Sequence, residues 1–270
     1  MDYRGNLLKL RSEYLDNISE SNIKYRLPVG GSEIELNEMI GRELKIEYQG
    51  KINCIHCGRE TNKSFSQGYC YSCFISLPQT DQCVLHPEKC QAHLGISRDM
   101  NWSENNCLTD HFVYLALTPA LKVGVTRSSQ IPTRWIDQGA SAAIILARTP
   151  NRYLAGSIEV YLKDHISDKT NWRRMLSGEE PEDIDLKQQK EFILELLPDE
   201  FAMFRYEDNS ITQFKYPVNK YPEKVKSLNF DKETLAMGIL SGIKGQYLLF
   251  ESGEVLNIRK HGGYFITITY

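Results

Sequence analysis

The chain has 270 residues, 41% of them hydrophobic and 25% charged, with a formal net charge of -3. That balance belongs to an ordinary globular protein with room for one large domain or two to three small ones, so disordered and fibrous classes are excluded. No run of about 18 apolar residues occurs, which argues against a membrane span, and the first residues mix charges with apolar side chains rather than forming the apolar core of a secretory signal.

From the N-terminus the pattern divides into four segments. Residues 1–53 read as an N-terminal β-unit, with alternation in Leu44-Lys45-Ile46-Glu47-Tyr48, an expected turn at Gln49-Gly50 and a second short strand. Residues 54–110 are rich in Cys, His, Gly and Pro and poor in aliphatic periodicity. Such a segment cannot build a core of its own size and needs metal to fold. Residues 111–198 read as an α/β core. His111 to Leu117 is a strand, Thr118-Pro119-Ala120 a turn and Leu121 to Val125 a second strand, which together make a hairpin. Ile131 to Gln138 reads as a short helix stopped by Gly139, and Ala142 to Ala147 as a buried strand. Thr149-Pro150 offers an N-cap and an N1 proline for a helix running to about Ile166. An acidic stretch, Glu179 to Asp185, precedes a helix with Leu186, Ile193, Leu196 and Leu197 on one face. Residues 199–270 form a β-rich unit, with strands at 246–250 and 255–258 around a Glu251-Ser252-Gly253 turn.

All seven cysteines lie between Cys54 and Cys107. Without a secretory signal, this clustering points to metal ligation in a reducing, cytoplasmic setting rather than to a disulfide frame. Cys54-x2-Cys57 and Cys70-x2-Cys73 each present two thiolates from one tight turn. Two such knuckles complete the tetrahedral shell of a structural zinc, with no coordination position left open. For a second zinc, Cys83, Cys90, His93 and Cys107 are the first choice, and His86 in place of Cys107 gives a more compact set. His111 is the remaining donor nearby.

Charge is unevenly distributed. From Ala120 to Leu176 there are nine Lys or Arg against four Asp or Glu, which makes this the anion-facing stretch of an otherwise acidic chain. No Gly-rich phosphate loop, dinucleotide fingerprint or Ser-His-Asp arrangement stands out. Candidate nucleic-acid contacts are Arg127, the aromatic-basic Trp172-Arg173-Arg174, Lys244, and Arg259-Lys260 near the C-terminus.

The strand-turn-strand-helix-strand-helix order of the core, with the residues it carries, resembles the GIY-YIG nuclease superfamily. Phe112-Val113-Tyr114 stands at the first signature triplet and Lys122-Val123-Gly124 at the second. Arg134 matches the family's helix arginine, Glu159 its metal-binding glutamate, and Asn171 stands where a late asparagine occurs. More closely, the chain resembles a bacterial family of unknown function. In that family a two-knuckle zinc segment precedes such a core, and a Gly-Ile-Lys-Gly-Gln-Tyr stretch, here Gly242 to Tyr247, marks the C-terminal end. Ser97 departs from that pattern, where a cysteine is usual.

The fold class implied is α+β: a GIY-YIG-like mixed sheet with helices, preceded by a zinc-knuckle segment and flanked by small terminal β-units. The resemblance further implies one Mg²⁺ or Mn²⁺ held by Glu159, a phosphate at Arg134, and a water positioned or deprotonated by Tyr114. Lys122 replaces the second tyrosine, and a lysine serves as a base only where burial or neighbouring cations lower its pKa. Each residue also has a plain structural reading. Glu159 can pair with Lys163 one helical turn on, Tyr114 can be a core residue with its hydroxyl at the rim, and Arg134 can pair with Asp137. The functional expectation is a zinc-containing protein that processes nucleic acid, DNA or RNA, as a divalent-metal-dependent nuclease. The alternatives are a non-catalytic binding module on the same fold and a protein-interaction scaffold. Steep weakening by salt separates nucleic-acid binding from a hydrophobic protein interface.

Overall fold

The computed structural model describes residues 2–15, 21–167, 169–179 and 183–270. Five strands come first: β1 (Asp2–Asn6), β2 (Arg11–Tyr14), β3 (Ile23–Val29), β4 (Ser32–Glu35) and β5 (Glu43–Ile52). After α1 (Tyr71–Ser76) and α2 (Met100–Asn106) come β6 (His111–Leu117), β7 (Leu121–Arg127), α3 (Thr133–Asp137), β8 (Ala142–Thr149) and α4 (Arg152–Leu162). The helices α5 (Trp172–Leu176), α6 (Leu186–Leu196) and α7 (Asp199–Ala202) lead to β9 (Thr212–Gln213) and β10 (Lys226–Leu228). The chain ends with β11 (Leu235–Lys244), β12 (Tyr247–Phe250), β13 (Glu254–Asn257) and β14 (Tyr264–Thr269). The class is mixed α+β, and among the described residues no helix is long and apolar enough to cross a membrane.

These elements form two compact units. The first gathers residues 1–75, 172–179 and 214–270; the second gathers 76–171 and 180–213. The cysteine-rich segment is thereby divided, with Cys54 to Cys73 in the first unit and Cys83 to Cys107 in the second.

In the first unit the two ends of the chain share one seven-stranded sheet, ordered β1-β14-β5-β11-β12-β13-β10, beside a three-stranded sheet β2-β3-β4. Leu44, Ile46, Ala236, Leu240, Ile266 and Ile268 are buried along its central strands. The turn expected at Gln49-Gly50 is instead a bulge within β5. Ile52 lies opposite Tyr264 and Tyr48 opposite Ile266. Gly50 has a φ of 76°, which glycine takes without strain, so the strand absorbs the extra residues and continues. His261 is fully buried in the turn Arg259–His261, where its Nε2 accepts from the Phe230 amide at 3.1 Å. Burial lowers its pKa, so it adds no charge to Arg259 and Lys260.

The second unit is built on an antiparallel sheet β7-β6-β8-β9. Val113, Leu115, Val123, Ile144 and Leu146 pack with Ala155, Ile158 and Leu162 of α4 and with Leu186 and Ile193 of α6. β6 coincides with the run expected from sequence because its apolar and aromatic residues suit a strand buried on both faces. The helix expected from Thr149-Pro150 begins later. Thr149 ends β8, and Asn151 caps α4 by accepting the Leu154 amide at 3.0 Å. The helix stops at Leu162, short of Ile166. In the acidic stretch, Glu179 pairs with Arg174 and Asp185 caps α6 through the Lys187 and Gln188 amides. Glu180, Pro181 and Glu182 of that stretch lie outside the described residues, as does Asp168 of the charge count.

Candidate metal centres and the Tyr114 cluster

Two cysteine clusters have the geometry to hold zinc. In the first unit the Sγ atoms of Cys54, Cys57, Cys70 and Cys73 all lie within 4.8 Å of one another. Cys57 and Cys70 stand 3.8 Å apart, and a tetrahedral shell with Zn–S bonds of about 2.3 Å puts its sulfurs about 3.8 Å apart. Local backbone makes this shell. The Cys54 amide bonds to Arg59 O and the Gly58 amide to Cys54 O, which closes the first knuckle. Gly58, with a φ of 72°, takes the left-handed turn residue. Burial raises the Cys54 thiol, but the amides of Cys57, Cys70 and His56 pull harder and bring it down to about 6. Cys73 moves the other way, to about 12, through burial and its thiol neighbours.

The second unit brings together Cys83, Cys90 and Cys107, again within 4.8 Å and all buried. The histidines expected to complete this shell do not join it. His93 is exposed and stacks on Tyr153, with ring centroids 4.5 Å apart. His86 pairs with Glu88 at 3.4 Å. His111 turns Nδ1 to Thr109 O at 2.7 Å, and its buried Nε2 has no partner among the described residues. What does join the trio is Arg152, which sequence reasoning missed. Its Nη1 donates to Cys83 Sγ at 3.3 Å, its Nη2 to Asn106 O at 2.8 Å, and its amide to Cys107 O at 2.8 Å. Contacts from Cys107 and Cys83 pull the Cys90 thiol down to about 3, and contacts with Cys83 and Cys90 push Cys107 up. A buried cation beside the trio is the charge pattern that thiolates require. The N-terminal turn of α4 is therefore part of this centre.

The Tyr114 cluster draws on four elements of the second unit, β6, β7, α3 and α4. Tyr114, on β6, is fully buried and donates its hydroxyl to Gln138 Oε1 at 3.0 Å. Its ring crosses Gly124, its partner on β7, where an added Cβ would come within 2.6 Å of the hydroxyl. Trp135 of α3 packs edge-on against the same ring at 5.8 Å. Burial raises the phenol pKa above its ordinary value. Arg134, through its charge and a hydrogen bond, and Gln138 oppose that rise, whereas Glu159 adds to it. Tyr114, Arg134 and Gln138 are thus brought together, and the charge of Glu159 reaches the same phenol. Nothing in the sequence marks Gln138, since a glutamine closing a short helix reads as solvated.

Lys122 follows a different line. By register it shares the Tyr114 face of the hairpin, but it is 6% exposed and its Nζ donates to Thr170 Oγ1 at 3.2 Å. Glu159 is 8% exposed and lies 3.6 Å from Lys163, the expected helical pair. Asn171 is exposed.

Of the residues read as nucleic-acid contacts, Arg127 belongs to the second unit, where it bonds to Asn106. The others belong to the first. Trp172 stacks on Tyr247 at 5.9 Å with the planes 6° apart, and Arg173 lies 4.3 Å from the Trp172 ring centre. Arg174 is held by Glu179. Lys244 sits between the rings of Tyr216 and Tyr221, at 5.4 and 5.2 Å, and burial lowers its pKa to about 8.

Comparison with curated proteins and with solved structures finds no match to either. A family model described as a protein of unknown function, DUF2797, matches residues 41–266 and so spans both cysteine clusters and the Tyr114 cluster. The chain belongs to the DUF2797 family.

Proposed function

We propose that this chain is a zinc-containing protein that acts on nucleic acid, with a GIY-YIG-like phosphodiester-cleaving centre at Tyr114, Arg134 and Glu159. The observation that carries this reading is that Arg134 of α3 hydrogen-bonds the Tyr114 phenol of β6 while the charge of Glu159, from α4, acts on the same phenol. An arginine, a carboxylate and a tyrosine in one place are what phosphodiester hydrolysis asks of a protein: a cation for the phosphate, a metal ligand, and a hydroxyl to orient water. One carboxylate suits Mg²⁺ or Mn²⁺, which keep several waters and take few protein ligands. Glu159 would hold that ion in place of its contact with Lys163, and the ion would supply charge for the leaving oxygen. Arg134 would hold the phosphate, and Gln138 would fix the phenol. Lys122, bonded to Thr170, would serve as a phosphate contact rather than a base.

A second reading, a binding module that does not cleave, is favoured by the complete burial of Tyr114 and the near-complete burial of Lys122. The test is cleavage of single-stranded DNA, duplex DNA and structured RNA with Mg²⁺ or Mn²⁺, comparing the wild type with Glu159→Gln. Cleavage that disappears in the variant supports the enzyme. No cleavage by either protein, with binding that weakens steeply as salt rises, leaves the binding module. Neither cleavage nor salt-sensitive binding refutes both and leaves the protein-interaction scaffold.

A further inference from the structure

The Cys83, Cys90 and Cys107 trio supplies three sulfurs, and among the described residues no His, Asp, Glu or further Cys offers a fourth ligand within the same 4.8 Å. The nearby candidates are engaged elsewhere. His86 is paired with Glu88 and His93 is stacked on Tyr153, while His111 turns Nδ1 to Thr109 O and keeps its bare Nε2 outside that 4.8 Å group. Asp81 accepts from the Cys83 amide at 3.0 Å and pairs with Arg98 at 3.0 Å. On one side of the trio lies a cavity of about 270 Å³. The three cysteines form part of its wall, together with Ser97, Arg98 and Trp102. The cavity opens to solvent and is several times the roughly 30 Å³ share of one water.

A zinc ion with three protein ligands and one open place is the arrangement of reactive rather than purely structural zinc. Here the ligands decide which reactivity. Three thiolates more than cancel the charge of Zn²⁺, so a bound water is weakly acidified and hydrolysis is poorly served. A thiol has an ordinary pKa of about 8.5 against 15.7 for water, and on coordination it is deprotonated outright. We propose that the second centre is an open three-thiolate zinc site whose fourth position takes a small exogenous thiol entering through this cavity. In the binding step one Zn–S bond forms, the bound water leaves, and the thiol proton passes to solvent. No electron is transferred. Arg152, which donates to Cys83, offsets the negative charge that builds on the sulfurs. This centre is independent of the nuclease reading.

The test uses the full chain loaded with cadmium-113, whose resonance reports the number of sulfur ligands at each centre. Wild type should bind two ions per chain and show two resonances, one for four sulfurs and one for three. Adding 2-mercaptoethanol should move only the three-sulfur resonance toward the other, with metal content unchanged after desalting. Ser97→Cys places a thiol on the cavity wall and should close the site, giving two four-sulfur resonances that no longer respond to thiol. One bound ion per chain, two four-sulfur resonances in the wild type, or a thiol response that persists in Ser97→Cys would each overturn the proposal.

Discussion

Gly156 offers a test of sign. It lies in the interior of α4, and replacing glycine by alanine in an exposed helix interior stabilises by about 0.8–1.0 kcal/mol. Here the added Cβ would fall on Glu88 N and Pro87 C and within 2.7 Å of Pro87 Cβ. The obstacle is backbone in the turn Pro87–Lys89, which cannot rotate away as a flexible side chain would. Either α4 or that turn must shift by about 1 Å, and overpacking of this kind costs typically 1–3 kcal/mol. The clash offsets or outweighs the propensity gain, so Gly156→Ala should lose up to about 2 kcal/mol net. The displaced turn lies between Cys83 and Cys90, so affinity for the second metal should fall as well. Urea unfolding followed by circular dichroism, with metal analysis of the folded protein, measures both effects. A raised urea midpoint with metal content unchanged would refute the close approach of α4 to this turn.

Stripping metal with a strong chelator at neutral pH should unfold residues 54–73, because structural zinc supplies on the order of 10–16 kcal/mol in isolated zinc-finger peptides. Hydrogen exchange should show protection lost there first; unchanged protection in metal-free protein would contradict a structural role. His111 should make stability depend on acid. Burial lowers its pKa from 6.5 to about 4, and Nδ1 donates to Thr109 O while the bare Nε2 is buried near two guanidinium groups. A histidine lowered in the folded state is protonated first in the unfolded chain, so stability is present above pH 6.5 and is lost as pH falls from 6.5 toward 4. The loss approaches about 3 kcal/mol. A His111 imidazole resonance that titrates near pH 6.5 in the folded protein would disprove it.

Tyr114 shows how far the sequence could be read. Its strand, its hairpin partner and its place in a signature-like triplet all follow from local pattern. Its register with Gly124 follows once the turn is located, because antiparallel pairing is then determined. Gln138 could not be found that way, since its role rests on where α3 sets one carboxamide. The first cysteine cluster was fully legible because both knuckles are short and local. The second was only half legible: its sulfurs lie on three separate pieces of chain, and no spacing rule chooses which nearby histidines turn inward. Here none joins the trio, and Arg152, from a helix more than 40 residues beyond Cys107, does.

The sequence by itself determined strands β6, β7 and β8 and the grouping of Cys54, Cys57, Cys70 and Cys73, because each depends on residues close together in the chain. Only the tertiary structure decided that the two ends of the chain share a seven-stranded sheet. It also decided that Gln49-Gly50 bulges rather than turns, and that Gly156 is where a helix meets backbone. These depend on partners far away in the chain, and long-range packing is chosen by the burial of whole faces rather than by any local preference.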